Sequence, residues 1–285
     1  MKNINNNTEW TQIIKPVSGW FNFNLREVWQ YRDLVRLFFK RDFVTFYKQT
    51  ILGPLWFLIQ PLLTTVVFVI VFGQIAKLST NGTPQILFYM SGTILWSFFA
   101  QSVTNSSNTF IQNANIFGKV YFPRLVMPVS NVIFNLFTLF IQLFMFMGFW
   151  LFYYFKGANI NISYYIFLLP ALFIQLAMLA LGMGIVISSL TTKYRDLALT
   201  VGFGMQLWMY ATPIVYPLSL IPAKYQWFYF LNPVTMIIEN FRHAVLGEGF
   251  FSLEKYLISL AVTFVIFMLG IILFSRVEKT FIDKV

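Results

Sequence analysis

The sequence predicts an all-α integral membrane protein with six transmembrane helices, an N-terminal amphipathic interface helix and a re-entrant segment before the last span. Three observations predict it. Six long apolar stretches lie between Ile51 and Phe274, each able to cross about 30 Å of hydrocarbon as a helix of about 20 residues. The central portions of these stretches hold no Asp, Glu, Lys, Arg or His. The 285 residues are 58% hydrophobic and only 11% charged, against about 25% charged in a soluble domain.

The elements follow in order. Residues 1–25 read as a cytoplasmic tail. Its opening, MKNINNNTEW, is polar and lacks an apolar core, so no cleavable signal peptide is expected. Residues 26–48 read as an amphipathic helix. Tyr31, Leu34, Val35 and Phe38 repeat at helical spacing, while Arg32, Arg36 and Lys40 lie on another face. A basic amphipathic helix of this kind lies at a membrane surface. Its basic face serves either as an anchor for span 1 or as a guide for an anionic lipid headgroup. Residues 49–285 form the membrane domain, with spans at about 52–76, 85–107, 126–155, 164–190, 197–220 and 253–275. Residues 225–246 are apolar but contain Pro233, Glu239, Arg242 and His243. Irregular or charged segments survive at membrane depth only where protein or water covers them. We therefore expect 225–246 to be re-entrant or interfacial, lining a cavity or lying on the outer leaflet.

Net charge is +10, and its distribution argues for topology rather than for a nucleic-acid partner. Fifteen basic residues fall on the face with the termini and five on the other. Basic loops stay inside, so both termini are expected in the cytoplasm. The absence of Cys excludes disulfides, thiolate metal sites and cysteine nucleophiles. His243 is the sole histidine, and no metal site is expected. Spans without ionisable groups lack the relays of proton- and ion-driven pumps. A glycosyl or prenyl transferase is also disfavoured: there are ten acidic residues and no D-D-x-x-D-type cluster.

Uncharged polar and aromatic side chains within the spans are candidates to line a polar path. Tyr89, Trp96, Gln101 and Asn105 in span 2 are candidates, with Asn131 and Asn135 in span 3 and Gln206, Trp208 and Tyr210 in span 5. Each has a plainer alternative, since uncharged polar groups inside a membrane usually hydrogen-bond neighbouring helices. Gly182 and Gly184 are expected to permit close helix contact. Glu239 and Arg242, three residues apart, are expected either to pair along a helix or to meet a ligand at the outer leaflet.

Five segments resemble a known family. The run RDFVTFYKQTILGPLWFLIQPLL from Arg41 to Leu63, with Val71-Phe72-Gly73 after it, is similar to the start of the ABC-2 type polysaccharide-exporting permeases. Phe46 and Thr50 stand where that pattern has Arg and Ser. Phe117 to Arg124 (FGKVYFPR) resembles the family's loop before span 3, and Tyr194-Arg195-Asp196 its YRD turn. Thr212 to Tyr216 (TPIVY) and Leu231-Asn232-Pro233 resemble its signatures before span 6. The resemblance is colinear from about residue 30 to the C-terminus. The loop before span 3 and the extension over residues 1–30 are most similar to the lipopolysaccharide O-antigen branch.

The resemblance implies a half-transporter: a homodimer of this permease with two copies of a P-loop ATPase, moving an undecaprenyl-linked polysaccharide outward across the bacterial cytoplasmic (inner) membrane. No G-x-x-x-x-G-K-[ST] occurs in the chain, so ATP and Mg would be bound by the partner, and this chain is expected to hold no cofactor and catalyse nothing. The resemblance also implies an ATPase-coupling set of Arg41, Asp42, Tyr47, Phe117, Lys119, Arg124, Lys193, Tyr194, Arg195 and Asp196. Asp196 has a second expected role as a cap for span 5. Arg32, Arg36, Lys40, Glu239 and Arg242 are the candidate lipid-headgroup contacts. Glycan, capsule, teichoic acid and, as an alternative, a drug or other lipid remain open as cargo.

Overall fold

The computed structural model describes residues 25–49, 51–117, 119, 122–192, 194 and 196–281. The expected tail lies outside these residues but for Leu25. The described residues form helices and no strand.

The amphipathic segment is helical in two pieces, α1 (Leu25–Gln30) and α2 (Arg32–Gln49). The apolar stripe of α2 is covered by protein. Val35 and Phe38 pack with Phe122, Val126 and Met127, and Phe39 and Phe43 meet Phe137 edge-on. Arg32, Arg36 and Lys40 stay exposed.

The first apolar stretch enters through a turn at Gly53–Leu55, continues as α3 (Trp56–Phe68), and widens into a π-helical stretch over Val69–Ile75. Pro61 lies inside α3 and has no N–H to give to the carbonyl four residues back, at Phe57. That carbonyl is satisfied from another helix: Gln142 Nε2 donates to Phe57 O at 3.1 Å.

The hub of the bundle is α4 (Gln85–Ser107), with sixteen of its 23 residues buried. It ends in two short helices, α5 (Thr109–Gln112) and α6 (Ala114–Phe117). The next long helices are α7 (Val126–Phe155) and α8 (Leu169–Thr191), the latter entered by a tight turn at Tyr164–Leu168. Both pack on α4. The chain continues through α9 (Leu197–Tyr210), α10 (Ala223–Leu231), α11 (Pro233–Leu246) and α12 (Leu253–Phe281). The most extensive pairing is α8 with α12.

Glycines set how closely α8 is sandwiched. A Cβ on Gly182 would stand 2.7 Å from Phe267 Cα of α12, and one on Gly184 would stand 2.5 Å from Ser106 Cβ of α4. The expected close contact is thus made twice, on opposite neighbours. Hydrogen bonds between polar side chains add to the packing, as they do where lipid offers no partner. Thr65 meets Thr93 at 3.2 Å, Asn135 donates to Ser102 at 3.0 Å, and Gln175 donates to Ser259 at 2.8 Å.

Among the described residues, five helical stretches are long and apolar enough to cross a membrane: Gly53–Ile75, Gln85–Ser107, Val126–Phe155, Tyr164–Thr191 and Leu253–Val277. The expected sixth, 197–220, differs. Its helix α9 has 14 residues, or about 21 Å at 1.5 Å per residue, and then breaks at the turn before Pro213. Segment 225–246 is not one apolar run either. Asn232 separates α10 from α11, and its side chain accepts from Val234 N at 3.2 Å to cap α11.

Candidate functional site

Two ends of the bundle carry its charged and motif residues. At the end opposite α2, α11 is buried along almost its whole length, so this part of the chain does not lie on a membrane surface. What positions it is Arg242. The residue is 1% exposed, and each of its five N–H donors has an acceptor. Nε donates to Ser91 Oγ at 3.1 Å. Nη1 donates to Pro213 O at 2.8 Å and to Glu239 Oε1 at 3.3 Å. Nη2 donates to Phe88 O at 3.2 Å and to Ile214 O at 2.8 Å. Its plane lies over the Phe88 ring at 3.8 Å, a cation–π contact strengthened by the absence of water. Glu239 completes the group by accepting from Phe250 N at 3.1 Å.

A buried charge persists when it is paired and fully hydrogen-bonded. Arg242 meets both conditions and joins α4, the Thr212–Tyr216 turn and α11. The helical pairing expected for Glu239 and Arg242 is present. The lipid-headgroup role expected for Arg242 is displaced, because it has no donor left to offer.

The two motifs of this end also lock together. Asn232 Nδ2 donates to Thr212 Oγ1 at 3.0 Å, which itself donates to Trp208 O at 2.9 Å. Tyr216 and Tyr229 hydroxyls meet at 3.3 Å.

The candidate path residues divide. Tyr89 and Trp96 are buried in the core, and Asn135 is buried and bonded to Ser102. These three hold helices together rather than face a path. Gln101, Asn105, Asn131, Gln206, Trp208 and Tyr210 retain accessible surface. On α4 the accessible positions are ordered. From Ser97 on, the accessible positions Ser97, Ala100, Gln101, Thr104 and Asn105, with Asn108 just past the helix end, recur at i, i+3, i+4, i+7, i+8 and i+11, one face of a helix. The second half of this largely buried helix therefore leaves one stripe uncovered, polar but for Ala100. Beside it stands Trp208 of α9, packed edge-on against Trp96 and Phe99. Ser97 joins Gln101 and Asn105 in this stripe, and spacing alone was the signal for it.

At the α2 end, the expected coupling residues lie in an aromatic cluster. Phe117 stacks near Phe110 and Phe122, and the Arg124 guanidinium lies 5.5 Å from the Phe117 ring. Phe122 meets Phe38 at 5.9 Å, and Arg41 lies over Phe38 at 4.9 Å while its Nε donates to Asp42 at 2.8 Å. Lys119 and Tyr194 are exposed. Thr191 Oγ1 donates to Ser107 O at 2.9 Å, which ties the head of the YRD turn to the end of α4. Tyr47 is exposed farther along α2, stacked on Phe43. Lys193 and Arg195 lie outside the described residues. Asp196 stands at the start of α9 but its side chain makes no capping bond; its own backbone is already helical, which turns the carboxylate away from the first turn's N–H groups.

Among the described residues, five membrane-length helices, one of them the buried hub α4 with its accessible polar positions, define a multi-pass membrane protein. The family model described as ABC-2 type transporter matches residues 33–246, and the chain belongs to that family. It is similar to two O-antigen export system permease proteins RfbA of Klebsiella pneumoniae. One is 30% identical over 88% of this chain and 94% of its own length, and the other 29% over the same shares. The RfbA permease of Myxococcus xanthus is 26% identical over 76% of this chain and 82% of its own.

Proposed function

We propose that this chain is the membrane half of an ATP-driven exporter of O-antigen-type polysaccharide. Two copies form the pathway in the cytoplasmic membrane, and two copies of a separate P-loop ATPase bind ATP and Mg and drive it. The cargo is an undecaprenyl-linked glycan moved outward. The observation that carries the reading is the stripe of Ser97, Gln101, Thr104, Asn105 and Asn108 on α4, in a chain that aligns over 88% of its length with O-antigen export permeases. Neutral hydroxyls and amides bordered by Trp208 suit sugar hydroxyls and ring faces; they are poor ligands for an ion and poor company for an alkyl chain.

The topology consistent with this reading has both termini in the cytoplasm. The chain from Asp196 to Ser219 makes the sixth crossing, since α9 starts beside the end of α4 and Ser219 Oγ reaches Asn81 Oδ1 at 3.3 Å at the opposite end. The pair α10–α11 is re-entrant: Ser259 Oγ donates to Pro233 O at 3.2 Å, more than a turn into α12, while Ser163 N donates to Ala244 O at the outer end. The exposed Arg32, Arg36 and Lys40 of α2 meet anionic lipid. The ATPase docks on Arg41, Asp42, Phe117, Lys119, Arg124 and the 193–196 turn.

The test is co-purification of the chain with the ATPase encoded beside it, followed by ATP hydrolysis in lipid nanodiscs, for wild type, Arg195→Glu and Asp196→Arg. The expected result is a stable complex whose ATPase rate in the presence of lipid-linked glycan falls in both variants. A chain that binds no ATPase, or a complex indifferent to this turn, rejects the coupling surface.

A further inference from the structure

At the end of the bundle opposite α2, a cavity of about 200 Å³ lies between the α3–α4 loop, the Pro217–Ser219 turn, α10 and the segment after α11. The volume equals about six or seven waters at about 30 Å³ each and falls below the ~300–1,000 Å³ of a drug-sized pocket. It is distinct from the α4 stripe, which lies beyond the buried Phe88–Trp96 section of that helix.

Its lining has two kinds of residue. The first kind is fixed. Arg242 has spent all five donors, and Glu239 accepts from Arg242 with one oxygen and from Phe250 N with the other. The Phe250 ring is held in turn, 5.6 Å from Phe230, with the Lys255 ammonium 4.2 Å from its centroid. The second kind has capacity to spare. Among the described residues the Glu248 carboxylate has no hydrogen-bond or ion-pair partner. Gln226 uses its Nε2 on Ile221 O and leaves Oε1 open. Asn81 uses Oδ1 to accept from Ser219 and leaves Nδ2 open. Asn81 itself sits in the left-handed region at φ 53°.

The cavity therefore offers two acceptor groups, one donor amide and a fixed aromatic wall. Sugar hydroxyls donate to carboxylate and amide oxygens, accept from an amide N–H, and leave a C–H face for an aromatic ring. Anionic groups are opposed, since the one cation of the lining is fully committed and the one free charge is negative. We propose that this cavity is a binding site for a single uncharged pyranose unit, held as the glycan leaves the protein. The inference rests on the reading that the cargo is a polysaccharide, and it adds a site on the exit side that takes one sugar ring and rejects acidic ones.

The experiment is saturation-transfer NMR on the permease–ATPase complex in nanodiscs. The probes are glucose, galactose, mannose, rhamnose and N-acetylglucosamine, with glucuronate as the acidic comparison. At least one uncharged sugar is expected to bind in the millimolar range, and glucuronate not to bind. Glu248→Gln is expected to weaken binding about tenfold, the loss of about 1.4 kcal/mol of charge-assisted bonding, and Ser219→Phe, which fills the mouth, to abolish it. Absence of any sugar signal, equal binding of glucuronate, or a signal unchanged by Ser219→Phe overturns the site. Surface display of polysaccharide in cells carrying the wild-type chain is scored in parallel. Display without sugar binding removes the site and leaves the export reading; sugar binding without display does the reverse.

Discussion

Replacing Arg242 by Met keeps most of its volume and removes its charge, which isolates what the guanidinium does. The carbonyls of Pro213 and Ile214 would lose this donor, the Phe88 carbonyl would keep only Ser91 Oγ among its side-chain donors, and the buried Glu239 carboxylate would keep only Phe250 N. Breaking a buried pair from one side costs about 3–5 kcal/mol. Arg242→Met is therefore expected to lose most of its folded yield, measured as monodisperse protein after heating in detergent. Adding Glu239→Gln to Arg242→Met removes the stranded charge and is expected to recover part of the loss, a coupling that a double-mutant cycle reads directly. The sequence displayed this residue clearly, as a lone cation in an apolar run, and an intramembrane charge implies a partner. Its partners were not legible. Three of the five are backbone carbonyls, and a carbonyl freed by a break at Pro213 looks the same in sequence as one used in a helix.

At the scale of the element, the long helices were readable because each is an unbroken apolar run with helix-compatible ends. α9 was not, because Ala211 to Leu220 is as apolar as what precedes it and only the geometry at Thr212 and Pro213 ends the helix. The glycines of α8 were readable as close-contact sites, but not which neighbour each one faces. Gly182→Val is expected to push α12 from α8 and cost about 1–3 kcal/mol, seen as a lower melting midpoint. Gly204→Ala on α9, where a Cβ meets nothing within 4 Å, is expected to leave the midpoint unchanged or raise it. The Pro61–Gln142 relation gives a sharper test. Gln142→Leu strands the Phe57 carbonyl and is expected to cost about 1–3 kcal/mol. In a Pro61→Ala background, where the backbone N–H returns, the same substitution is expected to cost much less. Equal costs in both backgrounds would reject the assignment.

For the whole molecule, the polar residues of the spans divide into those that tie helices and those that keep accessible surface. Asn135, Gln142 and Gln175 point at neighbouring helices and tie them. Gln101, Asn105 and the rest of the α4 stripe keep accessible surface. Sequence composition mixes the two sets, since an amide bonded across a helix pair and an amide facing a path are the same residue type. Gln101→Leu with Asn105→Leu is expected to leave the melting midpoint within about 0.5 kcal/mol of wild type while reducing surface polysaccharide severalfold in a complementation assay. Removing the three exposed charges of α2 at Arg32, Arg36 and Lys40 is expected to weaken binding of an isolated α2 peptide to vesicles rich in phosphatidylglycerol, by about 1 kcal/mol per charge, with no change on neutral vesicles.

The Arg242 junction also orders the birth of the protein. Its partners at Phe88 and Ser91 precede it by 154 and 151 residues, so they leave the ribosome and enter the bilayer long before the guanidinium exists. Until then the carbonyls of the turn at Pro213 lack the guanidinium they will meet, and the helices already inserted form an unlatched assembly. The molecule closes only when α11 arrives, and a nascent chain halted before residue 242 presents quality-control proteases with an open bundle rather than a smaller finished one.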